Sequence, residues 1–330
     1  MMTYLAIGIV LTALGLIACR VMVGVKPNLP SAILTDSARF QLRELEERLR
    51  AHVTVLAGQI GERNLERPAA LQAAEDYIRR TWSDQGFSVR DEVFEAWGRR
   101  CANLIVELRG TSRPEEVVLV GAHYDTAPGT PGANDNGSGV ALLLEMGRAL
   151  KAGPPARTIR LVAFTNEEPP NFFSDRMGSR VHARGAKQRG ENIVAMLSLE
   201  TIGYYSNSPG SQSYPPPFNF FYPSTGNFLT VVGNLASRSL VVTFLRHFME
   251  ATDFPVEGVA TFSWIPGVNW SDHWSFWKED YPAIMLTDTA PFRYPAYHSP
   301  GDTPARIAWP EFARASHGII AAVRRLAEEP

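Results

Sequence analysis

Cysteine is scarce in this 330-residue sequence, and neither sign of charge dominates. Cys19 and Cys101 are too few to form a disulfide framework or a thiolate zinc site. The formal net charge of −2 provides no broad basic surface, so no nucleic-acid partner is expected. The sequence also lacks internal repeats and low-complexity tracts. Any metal site in this chain must therefore be built from His, Asp and Glu.

The overall composition is that of a globular protein. Hydrophobic residues make up 45% of the chain and charged residues 20%, so the chain can bury a sizeable core. A length of 330 residues suits one large α/β domain or two small domains. The pattern of strands and helices described below favours one domain over residues 37–330.

One long apolar run without charge lies at the N-terminus, from Tyr4 to Cys19, and apolar residues resume soon afterwards as far as Val25. Sixteen helical residues at about 1.5 Å each span roughly 24 Å, which is less than a hydrocarbon core of about 30 Å unless the later residues are included. We predict that residues 1–25 are a signal peptide or membrane anchor and that residues 26–36 are a linker.

The type of anchor stays open. Residues 16–19 resemble a bacterial lipobox, in which Cys19 would be acylated. The first four residues lack the Lys or Arg that secretory signals usually carry, and Arg20 and Lys26 on the far side disagree with the positive-inside rule for an exported body. A buried helix is the other interpretation, which the terminal position of the run disfavours. We expect export, with the body attached to the periplasmic or extracellular face of a bacterial membrane.

Two amphipathic helices and two strands are predicted ahead of the first polar motif. Leucines and valine spaced by three and four residues predict a helix over 40–56, and a similar spacing predicts a helix over 69–85 that stops at Gly86. Strands are predicted over 88–94 and 102–108, as a pair.

The next strand carries the first candidate site residues. The short apolar run 117–120 leads to His123 and Asp125, and a Gly/Pro-rich loop then carries Asp135 to a helix predicted over 140–150. We interpret the imidazole and the Asp135 carboxylate as metal ligands, with Asp125 accepting the other imidazole N–H and fixing its tautomer. The alternative is an ordinary strand, turn and helix cap.

Further acidic and histidine residues follow other predicted strands. Ligands of open α/β sheets bind outside the carboxyl ends of the strands, so a repeated pattern of this kind indicates one shared site. Neighbouring residues at a strand end point in opposite directions, so one acid of a pair can bind metal while the other faces water. Each acid alone could be a solvated loop residue. The residues are Glu167 and Glu168 after the run 158–165, Glu200 after 193–199, and His298 a loop beyond 283–287.

The elements predict an α/β fold, a single domain with a central mixed, mostly parallel sheet flanked by helices and the site along one edge. From about residue 40 to the C-terminus, the chain resembles the M28 family of zinc metallopeptidases, and the resemblance implies a zinc-dependent exopeptidase-like fold. The motifs that carry it are residues 121–126 (GAHYDT), 133–139 (ANDNGSG), 166–168 (NEE), 271–273 (SDH) with Phe276, and 297–303 (YHSPGDT).

The resemblance also implies two zinc ions and a role for each candidate residue. Glu167 would be the general base, and Asp125 would support catalysis by orienting the histidine. Many aminopeptidases of the family have Asp where Glu200 stands, which puts the substrate assignment in doubt more than the metal assignment. Asp272 and His273 would support the site or line the pocket rather than bind metal. The implied ligands are His123 and Glu200 for one zinc, Glu168 and His298 for the other, and Asp135 as a bridge.

The function implied is hydrolysis of peptide substrates, with removal of N-terminal residues as the first expectation. A carboxypeptidase or aminoacylase-like amide hydrolase, a glutaminyl-cyclase-like transferase and a binding module that has lost catalysis remain as alternatives. Aromatic residues and prolines crowd the stretch 204–227, and we expect this long loop to wall the substrate pocket, the alternative being a rigid surface lid. Trp264, Trp270 and Trp274 are candidates for pocket lining or core packing.

Overall fold

The structure is a computed structural model that describes residues 15, 17–29, 32 and 36–329. Most of the anchor predicted over residues 1–25, and part of the linker predicted over 26–36, lie outside these residues. Among the helices of the described part, none is both long enough and apolar enough to cross a membrane. The N-terminal anchor therefore stays a prediction.

A mixed sheet of eight strands forms the centre of the described chain. Its strands are β1 (Arg90–Ala96), β2 (Arg99–Leu108), β3 (Arg113–His123), β4 (Arg157–Phe164), β5 (Asn192–Glu200), β6 (Leu229–Asn234), β7 (Val256–Thr261) and β8 (Ala283–Thr287). In space their order is β1-β2-β4-β3-β5-β8-β6-β7.

Strands β4, β3, β5 and β8 run parallel to one another, so their carboxyl ends share one edge of the sheet, here called the catalytic rim. The hairpin of β1 and β2 adds antiparallel strands on one side. On the other side β6 is antiparallel to β8 and parallel to β7. The predicted single domain with a mixed, mostly parallel sheet is confirmed.

Helices cover both faces of the sheet. Helices α1, α3, α5 and α7 contribute to the larger apolar core, while α4 and α6 cover a smaller core on the opposite face. The helices are α1 (Asp36–Val53), α2 (Pro68–Asp84), α3 (Gly137–Leu150), α4 (Gly178–Gln188), α5 (Arg238–Ala251), α6 (His273–Trp277) and α7 (Trp309–Glu328).

Close packing of β3 against β4 brings the rim together. Most of β3 is an apolar run that is buried on both faces, as expected for a central parallel strand. A Cβ built at Gly121 would lie 2.2 Å from the ring of Phe164, so only glycine permits this approach. The predicted apolar run ends just before Gly121, and the strand continues two residues beyond Gly121, to His123.

The predicted elements occur close to their predicted positions. The predicted helix over 69–85 corresponds to α2, and the predicted strand over 283–287 has the bounds of β8. The first predicted helix, over 40–56, begins earlier at Asp36, and after Val53 it passes into a π-helix, Thr54–Ile60. The elements α4, β6, α5, β7, α6 and α7 were not predicted.

Candidate active site

Ligand-type side chains from five segments meet at the catalytic rim. They are buried, except that the side chain of His298 is 33% exposed. Parallel strands deliver them because their carboxyl ends coincide. His123 ends β3, Glu167 and Glu168 follow β4, Glu200 ends β5, Asp135 lies in the loop before α3, and His298 lies in the loop after β8.

Asp135 lies between two histidines, with one carboxylate oxygen towards each. The Nε2 atom of His123 is 3.4 Å from Oδ1 of Asp135 and 3.3 Å from Oε2 of Glu200. The Nε2 atom of His298 is 3.0 Å from Oδ2 of Asp135 and 3.2 Å from Oε2 of Glu168. Each set of three residues offers ligand atoms within 4.8 Å of one another. The geometry therefore provides two adjoining ligand sets that share Asp135.

Several of these ligand atoms are buried and form no hydrogen bond with any described residue. They are Nε2 of His123, both carboxylate oxygens of Asp135 and Oε1 of Glu168. Leaving a buried polar atom without a partner costs roughly 1–3 kcal/mol, so their convergence calls for a ligand. Imidazole nitrogen and carboxylate oxygen are donors that zinc accepts. The donor set thus fits a divalent cation such as zinc.

Crowding of acids at the rim shifts their protonation. Burial raises the pKa of Glu168 to about 7, with the nearby carboxylate of Asp135 adding to the effect. Burial also raises the pKa of Glu167 well above its usual value, against the opposing charge of His123. Burial disfavours the imidazolium of His298, but the close carboxylates of Asp135 and Glu168 prevail and raise its pKa to about 10.

Asp125 holds the two glutamates in position. Its carboxylate oxygens accept the backbone N–H groups of Glu167 at 3.1 Å and of Glu168 at 3.2 Å. The carboxylate lies 3.7 Å from Nδ1 of His123, which is beyond hydrogen-bond distance, while that Nδ1 is 3.3 Å from the backbone oxygen of Asp125. The nearest Asp125 oxygen to the imidazole Nδ1 is therefore the backbone oxygen, not the carboxylate that the sequence predicts, and the hydrogen bonds of the carboxylate fix the pair of glutamates.

Two motif residues, Asn136 and Asp302, hold the loop that carries Asp135. Asn136 accepts the N–H of Gly139 at 3.1 Å, which caps α3, and donates to the carbonyl of Leu199 at 2.7 Å. Asp302 accepts the backbone N–H groups of Asp135 and of the residue before it, at 3.0 and 2.8 Å. The loop is therefore tied to α3, to β5 and to the segment after His298.

Sequence reasoning missed Arg63, which lies beneath the same loop. Its side chain is completely buried, and burial lowers its pKa to about 10, so the guanidinium stays charged at neutral pH. Its N–H groups bond to backbone carbonyls instead of carboxylates. The carbonyls belong to Leu56, Gly61, Tyr124, Pro131 and Gly132. No periodic pattern around residue 63 indicates this role.

Comparison with known proteins identifies the family. The model of peptidase family M28 matches residues 103–323, a range that holds every ligand-type residue at the rim. The chain belongs to peptidase family M28. The resemblance seen in the motifs is thereby confirmed. The uncharacterized protein YfbL of Escherichia coli (strain K12) is 36% identical over 283 residues, which cover 83% of this chain and 86% of YfbL.

Solved structures share the fold of this M28 chain. BSAP, a zinc aminopeptidase from Bacillus subtilis, aligns with a TM-score of 0.65 at 16% identity, covering 86% of this chain and 95% of BSAP. The glutaminyl cyclase of Porphyromonas gingivalis aligns with a TM-score of 0.63 at 20% identity, covering 85% and 98% of the two chains. At these identities the likeness concerns the fold.

The Ser-Asp-His motif of this M28 domain lies beside the first ligand set. Ser271 donates a hydrogen bond of 2.7 Å to Oε2 of Glu200, which orients that carboxylate. Asp272 is fully buried, and burial raises its pKa to about 7. The Nε2 atom of His273 is 2.8 Å from the backbone oxygen of Val268. Asp272 and His273 belong to neither ligand set.

A cavity of about 820 Å³ that opens to solvent adjoins Glu200. The long loop 204–227 supplies part of its wall, which agrees with the predicted position of that loop. The lining is mainly apolar and includes the aromatic side chains of Tyr214, Phe218, Tyr222, Phe228, Trp270 and Phe292.

The three tryptophans considered as lining residues differ. Trp270 lines this cavity and also the smaller cleft beside His298. Trp274 instead packs against Phe173, with ring centroids 4.9 Å apart. Trp264 is 75% exposed and belongs neither to the cavity lining nor to the core.

Proposed function

We propose that this M28 chain is an aminopeptidase that works with two zinc ions and removes N-terminal residues from peptides. The observation that carries the proposal is the pair of three-residue ligand sets that share Asp135. Family membership supports peptide substrates and zinc. The number of ions and the exopeptidase reaction rest on the arrangement of the residues and on the family resemblance.

Each residue of the rim has a part in the proposed reaction. Bound zinc would supply Lewis acidity and lower the pKa of the attacking water. His123, Asp135 and Glu200 would hold one ion, and Glu168 and His298 would hold the other with Asp135. Glu167, whose Oε2 lies 3.9 Å from Nε2 of His123, would take a proton from the attacking water and pass it to the leaving amine.

The aromatic cavity beside Glu200 suggests the preferred substrate. A cavity walled by rings favours an apolar side chain, because burial of apolar surface is the main gain on binding there. Its position next to the ligand sets suits the side chain of the residue that is released. We therefore expect large apolar N-terminal residues to be preferred over acidic ones.

The test is a Glu167→Gln variant, with Glu115→Gln as the matched control because Glu115 is exposed and lies away from the rim. Loss of the general base should lower kcat about 10²–10⁴-fold, while the content of two metals per chain stays unchanged. Metal analysis and hydrolysis of amino-acid arylamides and N-blocked peptides provide the measurements. Retained turnover in the glutamine variant would show that the base is misassigned.

The same assay separates the alternatives. Activity on free amines alone supports the aminopeptidase. Cleavage of N-blocked peptides indicates a carboxypeptidase or aminoacylase-like hydrolase. Cyclisation of an N-terminal glutamine with one metal per chain indicates a glutaminyl cyclase, whose fold this chain shares. Metal binding without turnover of any of these substrates indicates a binding module that has lost catalysis.

We also propose that the domain is exported and stays attached to a membrane through the apolar run that begins at Tyr4. The uncharged apolar run and its terminal position support this proposal. Fractionation of bacterial cells that express the full chain should recover it with the membranes, accessible to protease from outside the inner membrane. Recovery in the cytoplasmic fraction would contradict the proposal.

A further inference from the structure

The first described residues of the chain pack against the edge strand of the sheet. Residues 17–23 are helical, and the Oγ1 atom of Thr261 at the end of β7 lies 2.9 Å from the sulfur of Met22. Val25 is 2% exposed, and Lys26 forms an ion pair of 2.8 Å with Glu257 of β7. The helical residues 17–23 therefore lie at a defined place, next to the carboxyl end of β7.

This place is the edge of the sheet opposite to the catalytic rim. Strand β6 is antiparallel to β8, and Thr230 pairs with Thr287 at the rim. Gly233 pairs with Ile284, near the start of β8, so β6 and β7 both end at the far edge. A strand of six residues spans about 20 Å, which separates the two edges.

Exposed apolar side chains surround the point where the N-terminal segment meets the far edge. Arg238, at the start of α5, donates to the carbonyls of residues 21 and 24, which places the loop after β6 beside the helical segment. The rings of Phe262 and Trp264 stack with centroids 5.7 Å apart. We call these side chains the basal patch: Ile17, Val21, Leu235, Phe262 and Trp264, which are 59, 46, 42, 43 and 75% exposed.

The chemistry of the basal patch suits a lipid surface. Single exposed apolar residues are ordinary, but a group of them indicates an interaction site. The loops 234–237 and 262–270 contain no acidic residue, and Arg20 is exposed beside the patch. Tryptophan and arginine both favour the level of lipid headgroups.

We propose that the basal patch rests on the membrane into which the preceding apolar run inserts, so that the catalytic rim faces away from the bilayer. The inference rests on the proposed membrane attachment and is independent of the catalytic activity. The occupant is a lipid bilayer, because Ile17 and Val21 of the patch continue, in the sequence, the apolar run for which we propose membrane insertion. A tethered domain without this contact would tumble freely on its linker.

The experiment uses the full chain in phosphatidylcholine and phosphatidylglycerol vesicles, with brominated acyl chains as quenchers of tryptophan fluorescence. Wild type, Trp264→Phe and Trp97→Phe are compared. Trp97 is the matched control because it is 59% exposed and lies in the hairpin between β1 and β2, at the other side of the sheet.

Bromolipids should quench the wild type, and Trp264→Phe should remove at least half of the quenched signal. Trp97→Phe should remove none of it. Equal quenching in wild type and Trp264→Phe, with the protein still floating with the vesicles, overturns the orientation but leaves the attachment. Failure of the chain to float with vesicles overturns both.

Discussion

Buried carboxylates occur in two very different settings in this molecule. Glu145 lies between α1 and α3, where one oxygen accepts from Arg48 at 2.7 Å and from Arg148 at 2.8 Å and the other is 3.3 Å from His52. Burial opposes its ionisation, but the hydrogen bonds from His52, Arg48 and Arg148 prevail and lower its pKa to about 2. Glu168 is buried as well, yet one of its oxygens has no hydrogen bond and burial raises its pKa to about 7.

The difference shows what each cluster is built for. At Glu145 both carboxylate oxygens have hydrogen-bond partners, two of which are guanidinium groups, so the cluster is complete and joins two helices. At the rim, several acids face two imidazoles, and the buried guanidinium of Arg63 gives its hydrogen bonds to carbonyls. Unpaired buried charge is costly, so the rim is complete only when cations are added.

Removing the shared ligand should have the largest effect. In Asp135→Ala both ligand sets lose a member, so both metals should be lost and kcat/KM should fall at least about 10³-fold, because metal ions supply several kcal/mol of transition-state stabilisation. In the matched variant Glu168→Ala only one set is changed, and one metal should remain. Metal content per chain and kcat/KM are measured together.

Two metals retained in Asp135→Ala would contradict the shared-ligand arrangement. Loss of both metals in Glu168→Ala would show that the two sets depend on each other. The first result would make the two ligand sets more independent than the geometry indicates, and the second would make them less independent.

Arg63→Met should produce the next effect, on stability. Several backbone carbonyls would lose a buried donor at once, at roughly 1–3 kcal/mol for each group left unsatisfied, so we expect a loss of at least about 3 kcal/mol in the free energy of unfolding. Arg63→Lys keeps the charge and up to three donors, and should lose less. Urea unfolding at neutral pH measures both.

Arg67→Met is the control for Arg63, because the side chain of Arg67 is 65% exposed and its loss should change stability by less than about 0.5 kcal/mol. Metal affinity gives a second measurement, since the carbonyls held by Arg63 belong partly to the loop that carries Asp135. Equal stability of the methionine variant and wild type would contradict the bracing role.

The rim could be predicted from the sequence because each ligand residue follows a short apolar strand. That signal is local, whereas the partners that complete the site are distant along the chain. Arginine is usually a surface residue. Arg63 can be buried because carbonyls within residues 124–132 accept its N–H groups. No pattern within a window of the sequence contains that information.

Missed and shifted elements have similar causes. Leu56 continues the helical spacing, so periodicity did not separate α1 from the π-helix that follows Val53. In α4 the buried positions include Arg180 and His182. Because these buried residues are polar, the sequence shows no regular spacing of apolar residues that would predict the helix. In both regions the tertiary partners decide what the local sequence leaves ambiguous.

Glu145→Gln should have the smallest effect of the three variants, and that effect should depend on pH. The folded-state pKa of Glu145, about 2, lies below the ordinary value of 4.5, so its ionisation stabilises the folded state above about pH 4.5 and the contribution is lost as pH falls towards 2. We expect a loss of about 2–3 kcal/mol at pH 7 and almost none near pH 2. Urea unfolding across this range, with Glu44→Gln as a control whose side chain is 50% exposed, measures the difference. A loss that is the same at every pH would mean that Glu145 stabilises the helices by packing. The difference between Glu145 and the unpaired acids of the rim would then not arise from the charge of the carboxylate.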